Sequence, residues 1–289
     1  MPRAHANGLE LEYDTFGDPT DQPLVLVMGL GAQMITWEDD FCALIAARGF
    51  FVVRYDNRDV GLSTYFDDAP TPNIAALAAG DRTTAAYDLS DLADDAIGLF
   101  DALGIARAHV VGASMGGMIV QQLAIDHPDR LLSLTSIMST TGDPAVGHPE
   151  PFALAILTRP PVEGRSQAIE DSVNAYRALG SPGYPDEDAF LLAKAGAHYD
   201  RARNPAGTLR HAAAVLASGD RTAKLREVRL PAMVIHGDAD ALVNVSGGKA
   251  TAEAIAGAEL LIIPGMGHNL PRPVWGEVVD AVVRVTSRA

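Results

Sequence analysis

The chain has 289 residues, the size of one large domain or of a domain that carries a sizeable insertion. Hydrophobic residues make up 48% of it and charged residues 20%, a composition that excludes an intrinsically disordered protein. The 37 acidic and 22 basic residues give a formal net charge of −15, which disfavours binding to nucleic acid or to an anionic membrane surface.

A single cysteine, Cys42, excludes an internal disulfide and a cysteine-based metal site. We expect it to pack as a small core residue within the stretch WEDDFCALIAARG. The N-terminal sequence MPRAHANGLELEYD lacks the apolar core of a signal peptide, and no apolar run reaches the length of a membrane span. The sequence therefore predicts a cytoplasmic protein without a membrane span.

Short apolar runs alternate with helical patterns along most of the chain. The stretch LELEYDTF (Leu9–Phe16) alternates apolar and polar residues, which predicts an antiparallel or edge strand. Strands covered by helices on both faces are almost continuously apolar, and six further runs fit this description. They are Pro23–Gly29, Phe50–Asp56, Ala108–Gly112, Leu131–Met138, Pro231–Gly237 and Ala258–Gly265. The alternation predicts a mostly parallel sheet of the eight-stranded type, flanked by helices.

The alternation stops after Met138. No strand pattern appears between Thr140 and Lys224, and short helical stretches such as PFALAILT and SQAIEDSVNAYRALG stand there between proline and glycine breaks. We therefore expect a helical cap, residues 140–224, inserted after the sixth strand. The core would then consist of residues 1–139 and 225–289.

The stretch HVVGASMGGMIV places Ser114 between two glycines, after an apolar run and before a helical pattern. The pattern G-x-S-x-G in this strand–turn–helix context predicts a nucleophile elbow. Gly112 and Gly116 leave room for the strained turn, and the helix N-terminus offers N–H groups to a developing oxyanion. A serine that only caps the following helix is the alternative.

A serine nucleophile requires a base, and functional groups of α/β sheets gather beyond the carboxyl ends of strands. His268, in LLIIPGMGHNLPRP, follows the last predicted strand, so we favour it over the other seven histidines. His236 also ends a strand; it is the alternative base and otherwise shapes the turn before the acid. In VIHGDADALV we favour Asp240 as the acid because it lies further into the loop, and we expect Asp238 to serve the turn.

An oxyanion hole requires two N–H donors. The residue after the nucleophile, Met115, supplies one, and the loop VMGLGAQ after an early strand offers the other. Gly29 and Gly31 allow the backbone of that loop to approach the substrate, which leaves Leu30 N–H as the second donor. A plain glycine turn is the alternative.

The charged stretch RYDNRDVGLST follows another predicted strand. We expect Asp56, Arg58 and Asp59 to form a network that fixes this loop, with substrate binding as the alternative. The chain has no H-E-x-x-H pattern, no Walker A pattern and no dinucleotide fingerprint, so we expect neither a metal nor a cofactor.

These motifs resemble those of the α/β-hydrolase-fold serine esterases along almost the whole chain. The aclacinomycin methylesterase group of actinobacterial esterases and lipases shares the patterns RYD-x-RD-x-G-x-ST, SMG and PGMGH-x-LP, which all occur here. The resemblance implies that Ser114 is the nucleophile, Asp240 the acid and His268 the base. It also implies that Leu30 and Met115 are the oxyanion donors and that a helical cap covers the pocket.

The chain departs from these relatives at two places. Many of them have His-Gly where this sequence has Met28-Gly29, and many have proline where it has Val243-Asn244. Neither departure removes a catalytic group.

The leading hypothesis is a cofactor-free serine carboxylesterase that hydrolyses apolar small-molecule esters through a Ser-His-Asp triad and an acyl-enzyme. Methionine and aromatic residues are candidates for an apolar pocket, although plain core packing also explains each of them. They are Met28, Met34, Met118, Phe152, Tyr176, Tyr184 and Phe190. The same triad also suits a perhydrolase or haloperoxidase, a lactonase or a C–C bond hydrolase. A non-catalytic binding protein on the same fold is a further alternative, and a homodimer stays open.

Overall fold

The sheet of the computed structural model, which describes residues 1–289, has eight strands. They are β1 (Arg3–Ala6), β2 (Leu9–Phe16), β3 (Gln22–Val27), β4 (Phe50–Tyr55), β5 (Ala108–Ala113), β6 (Leu131–Ile137), β7 (Ala232–Gly237) and β8 (Glu259–Ile263). Their order across the sheet is β1-β2-β4-β3-β5-β6-β7-β8. Only the pairs β1–β2 and β2–β4 are antiparallel. The predicted mostly parallel, eight-stranded sheet is therefore confirmed.

Eleven α-helices accompany the sheet. They are α1 (Asp39–Ala46), α2 (Ile74–Ala78), α3 (Leu89–Ala102), α4 (Met115–Asp126), α5 (Pro151–Thr158), α6 (Arg165–Leu179), α7 (Asp188–Arg201), α8 (Pro205–Ser218), α9 (Thr222–Leu225), α10 (Ser246–Ala254) and α11 (Trp275–Thr286). Helices α5 to α9 all lie between β6 and β7. This arrangement confirms the predicted helical insertion after the sixth strand. No helix combines the length and the apolar character needed to cross a lipid bilayer.

The apolar strands bury both faces of the sheet. In β3, Leu24 and Leu26 belong to a core cluster of 24 buried residues that includes side chains of α1 and α11. Val25 and Val27 belong to a second cluster of 31 buried residues that includes side chains of α3 and α4. Because successive side chains of a strand point to opposite faces, a continuously apolar run serves two cores at once. All six residues of β5 are buried in this way.

Strand β1 is the one strand that the sequence patterns did not predict. Its sequence RAHA contains no β-branched residue, so its strand character comes from pairing with β2, where Ala4 faces Leu11. The prediction for Cys42 is confirmed, because this side chain is fully buried. Burial raises the pKa of its thiol to about 12.

Helix α3 begins and ends at residues that its sequence specifies. Asp88 accepts hydrogen bonds from the first turn, and the Asp91 carboxylate accepts the Asp88 N–H in return, which forms a capping box. Gly104, with φ of 71°, follows the last turn, a common residue and conformation at a helix end. The structure differs from the helical periodicity of this stretch, which places Asp95 outside the apolar face: Asp95 is buried and accepts two hydrogen bonds from Arg58, at 2.6 and 2.7 Å.

Buried histidines make the stability of the fold sensitive to acid. Burial lowers the pKa of both His109 and His211 to about 4. A histidine whose pKa is lower in the folded than in the unfolded chain stabilises the fold above about pH 6.5, and this contribution is lost as the pH falls toward the folded pKa. We therefore expect the free energy of unfolding to decrease between about pH 6.5 and pH 4, by up to about 3 kcal/mol for each histidine.

Urea denaturation at several pH values in this window measures the effect, and the variant His109→Asn is its control. The variant should show a shallower pH dependence than the wild-type chain. Parallel curves for the two proteins would contradict the prediction.

Candidate active site

Ser114 lies on a strained turn between β5 and α4. Its φ and ψ are 57° and −122°, a backbone conformation that side-chain-bearing residues rarely adopt. Its N–H donates to Ile137 O at 2.9 Å, and its carbonyl accepts the N–H of Gly117 at 2.9 Å. The Oγ makes no capping hydrogen bond to the helix, so the capping alternative does not describe this serine.

Two glycines leave the space that this turn requires. A Cβ on Gly112 would lie 2.0 Å from the carbonyl oxygen of Gly116. A Cβ on Gly116 would lie 2.1 Å from the carbonyl oxygen of Val27 on the neighbouring strand β3. Both contacts are with backbone atoms, which cannot rotate away as a flexible side chain can. The elbow therefore depends on the absence of side chains at these two positions.

Three side chains from three separate loops meet at the carboxyl end of the sheet. His268 Nε2 lies 3.0 Å from Ser114 Oγ, and His268 Nδ1 lies 2.8 Å from Asp240 Oδ2. Because the Asp240 carboxylate can only accept, His268 Nδ1 carries the proton and donates it. In the neutral ring, Nε2 then has a free lone pair and accepts the Ser114 hydroxyl hydrogen. This arrangement can withdraw a proton from the serine oxygen.

The Asp240 carboxylate is buried but well satisfied. Its Oδ1 accepts the N–H groups of Leu242 and Val243, both at 2.9 Å. Burial by itself would raise the pKa of Asp240. The nearby His268, the hydrogen bonds from His268 and Val243, and His236 Nε2 at 3.4 Å outweigh it and hold this pKa far below its usual value. Val243 is one of the positions where the chain departs from relatives with proline, and proline lacks the N–H that it donates.

The structure also assigns roles to the two alternative residues. Asp238 is exposed, and its Oδ1 accepts the Gly265 N–H at 2.6 Å, so it supports the turn that leads to His268. His236 is fully buried and donates from Nε2 to Val243 O at 2.7 Å, which fixes the loop around Asp240. Neither of them contacts Ser114. The structure places His268 against Ser114 and Asp240 against His268 instead.

The loop that carries His268 is held by the last residue of α6 and the segment that follows it, a support that sequence reasoning missed. The His268 N–H donates to Leu179 O at 2.8 Å, and the Gly267 N–H donates to Ser181 Oγ at 2.9 Å. The Gly183 N–H donates to Gly265 O at 2.9 Å. These pairs are more than 80 residues apart in sequence, so no local pattern announces them.

The loop after β3 lies directly beside the elbow. A Cβ on Gly29 would lie 2.9 Å from Ser114 Cβ, so glycine allows this close approach. The N–H groups of Leu30 and of Met115 donate to no acceptor in the protein. Both predicted oxyanion donors are therefore unengaged, one on each of the two segments that meet at the serine.

Hydrogen bonds fix the charged loop after β4, as predicted, but Asp56, Arg58 and Asp59 bond to other residues and not to one another. Asp56 accepts the N–H groups of Met34 at 2.7 Å and Leu62 at 2.9 Å. Asp59 forms two hydrogen bonds with Arg210 of α8, at 2.6 and 2.7 Å. These contacts place the buried charges of this loop in structural pairs. The structure contains no cluster of three or more His, Cys, Asp or Glu side chains arranged for a metal ion.

Comparison with known proteins gives the family of this fold and site. Residues 22–271 match the family model described as the alpha/beta hydrolase fold. The chain belongs to the alpha/beta hydrolase family.

Two similar proteins illustrate its place in the family. This alpha/beta hydrolase is 31% identical to the rhodomycin D methylesterase of Streptomyces sp. (strain C5), over 94% of the chain and 93% of that protein. It is also 26% identical to 3-oxoadipate enol-lactonase 2 of Acinetobacter baylyi, over 96% of the chain and 95% of that protein. Among solved structures, the enol-lactonase from Burkholderia xenovorans LB400 superimposes with a TM-score of 0.76 at 26% identity, covering 99% of this chain and all of that one.

The crowding at the elbow predicts a large cost for any side chain at Gly112. We expect Gly112→Ala to destabilise the protein by about 3 kcal/mol or more, because the new Cβ would overlap the Gly116 carbonyl. Thermal and urea denaturation measure the change. Gly276→Ala in α11 is the matched control, since a Cβ there meets nothing within 4 Å. Equal stability of the two variants would contradict this account of the elbow.

Proposed function

We propose that this alpha/beta hydrolase is a serine carboxylesterase with Ser114 as nucleophile, His268 as base and Asp240 as acid. The observation that carries the proposal is the continuous hydrogen-bond chain from Ser114 Oγ through His268 to Asp240, at 3.0 and 2.8 Å. The strained elbow supports it further, because such strain is retained where it exposes a reactive side chain.

In the first half of the reaction, the Ser114 oxygen attacks the ester carbonyl while His268 Nε2 takes its proton. The Asp240 carboxylate, ionised at neutral pH, stabilises the imidazolium that forms. His268 then gives the proton to the departing alcohol, which leaves the acyl group on Ser114. In the second half, water is the nucleophile: it attacks the acyl group while His268 Nε2 takes its proton. His268 then returns the proton to the Ser114 oxygen, which releases the acid and restores the hydroxyl.

Each half passes through a tetrahedral oxyanion. We assign its stabilisation to the backbone N–H groups of Leu30 and Met115, which have no acceptor in the protein. Met115 begins α4, so the positive end of the helix dipole adds to this effect.

The methylesterase relatives support esterase activity and favour a small-molecule methyl ester of an apolar acid as substrate. Lactone hydrolysis is the second candidate, because the enol-lactonase relatives match nearly the whole chain. A lactone is a cyclic ester, so the same groups would open it and the leaving alcohol would stay attached to the acyl-enzyme.

We also propose that residues 140–224 form a cap over this site, with residues 1–139 and 225–289 as the core. The hydrogen bonds of Leu179 and Ser181 with the His268 loop support this assignment, because they place the insertion next to the site. Of the apolar candidates, Met28 and Met118 are each 7% exposed, whereas Phe152 on α5 is 50% exposed.

Removal of the nucleophile should abolish turnover. We expect Ser114→Ala to reduce kcat by about 10⁶-fold, since the three side chains act as a unit. A series of chromogenic esters of increasing acyl length, with a lactone of matched length, measures activity and separates the two candidate substrates. A phosphonate ester probe should label the wild-type serine and leave the variant unlabelled. Ester hydrolysis by Ser114→Ala at the wild-type rate would overturn the mechanism.

The two aspartates of the acid loop should respond very differently to the same substitution. Asp240→Asn removes the charge that orients and stabilises His268, so we expect kcat to fall by about 10⁴-fold. Asp238→Asn is the matched control; it alters only a turn hydrogen bond, so we expect a loss of less than about tenfold. Steady-state kinetics on one chromogenic ester compare them, and the reverse order would reassign the acid.

A further inference from the structure

The loop with the unengaged Leu30 N–H is anchored from outside the core. The N–H of the next residue, Gly31, donates to Nδ1 of His211 at 3.1 Å. His211 belongs to α8, 180 residues further along the chain, and is fully buried. A helix of the insertion thus holds the peptide group that adjoins Leu30.

The second ring nitrogen of His211 defines which tautomer is present. His211 Nε2 lies 2.7 Å from the carbonyl oxygen of Arg58, in the charged loop after β4. A carbonyl oxygen can only accept, so Nε2 carries the hydrogen and Nδ1 keeps the lone pair that receives the Gly31 N–H. Burial lowers the pKa of His211 to about 4, which keeps this ring neutral near neutral pH. One imidazole therefore joins two loops of the core, each by a hydrogen bond of fixed direction.

The surroundings of His211 keep the ring in place. The neighbouring Arg210 forms two hydrogen bonds with Asp59, at 2.6 and 2.7 Å, which fix α8 on the charged loop. One turn earlier, Thr208 packs so closely that a Cβ on Gly31 would lie 2.7 Å from its Oγ1. The Tyr87 ring meets the His211 ring edge-on at 6.3 Å. Because the His211 ring is fixed, its hydrogen bond can hold the loop of Leu30 and Gly31 in one position.

We propose that His211 is a positioning residue for the oxyanion hole. By accepting the Gly31 N–H, it fixes the peptide between Leu30 and Gly31 and so sets the direction of the adjoining Leu30 N–H. Gly31 has φ of 65°, a conformation that glycine adopts readily. Because glycine has few steric restrictions, the backbone at Gly31 can take other conformations when the anchor is absent. The inference rests on the proposed function, since it assigns a role in stabilising the oxyanion of ester hydrolysis.

Three substitutions of His211 separate its two hydrogen bonds. Asparagine places an amide oxygen near the position of Nδ1 and can still accept the Gly31 N–H. Glutamine reaches the position of Nε2 and can donate to Arg58 O, but leaves Gly31 without its acceptor. Phenylalanine keeps a ring and removes both bonds. His109→Asn is the matched control, because His109 is equally buried and hydrogen-bonds Ser133, away from the serine.

We expect His211→Gln and His211→Phe to lower kcat on a chromogenic ester by roughly 10- to 100-fold, with KM unchanged, because a misplaced donor weakens transition-state binding. The rate at which a phosphonate ester labels Ser114 should fall in parallel. His211→Asn and His109→Asn should keep a kcat close to that of the wild-type chain. Thermal denaturation of every variant reports folding separately.

Several outcomes would overturn the proposal. They are a wild-type kcat in His211→Phe, an equal loss in all three His211 variants, and an equal loss in His109→Asn. If the wild-type chain hydrolyses esters and Ser114→Ala does not, these outcomes reject the role of His211 alone. If the wild-type chain and Ser114→Ala are equally inactive, the proposed function itself fails.

A measurement on the wild-type chain keeps the proposal testable if the glutamine and phenylalanine variants do not fold. Long-range ¹H–¹⁵N NMR of the histidine rings reports which nitrogen carries the hydrogen. The expected result is a neutral His211 ring protonated at Nε2. A ring protonated at Nδ1 cannot accept the Gly31 N–H, and this result would reject the anchor.

Discussion

The backbone of Ser114 occupies a conformation that costs about 1–3 kcal/mol of free energy, and the surrounding structure has to hold it there. The turn persists because both flanking elements are held firmly: all of β5 is buried at the centre of the sheet, and α4 is buried along ten of its twelve residues. The same turn lifts Oγ above the sheet edge and starts α4 at Met115, whose N–H stays unengaged. One strained residue thus presents the proposed nucleophile beside a candidate oxyanion donor.

The parallel sheet explains how residues far apart in sequence reach this serine. Ser114 follows β5, Asp240 follows β7 and His268 follows β8, and these three strands end at the same edge. The space occupied by β6 separates the serine from the acid, and the His268 ring bridges that gap. The interactions with His268, His236 and Val243 keep the Asp240 carboxylate ionised within the protein, so it can orient the ring.

Local patterns predicted much of this architecture. Six strands follow from continuously apolar runs, because a buried parallel strand has few other compositions available. Strand β2 follows from its alternating pattern, and the helical insertion follows from the stretch without strand patterns after Met138. The elbow and the choice of His268 over His236 follow from spacing and from positions at strand ends. Asp95 shows the limit of such patterns, since its helix position indicates solvent while Arg58, 37 residues away, draws it into the interior. The contacts of Leu179 with His268 and of His211 with Gly31 could not be predicted either, because residues so far apart in sequence form no local pattern.

The insertion contacts two loops of the candidate active site. Leu179 and Ser181 hold the loop of the proposed base, His268, while His211 holds the loop beside Ser114. An exchange of residues 140–224 for the equivalent segment of another family member would therefore remove the hydrogen bonds that hold these two loops of the core. If residues 140–224 form the proposed cap, grafts intended to transfer substrate preference have to keep these anchor positions as well as replace the surface that faces the substrate.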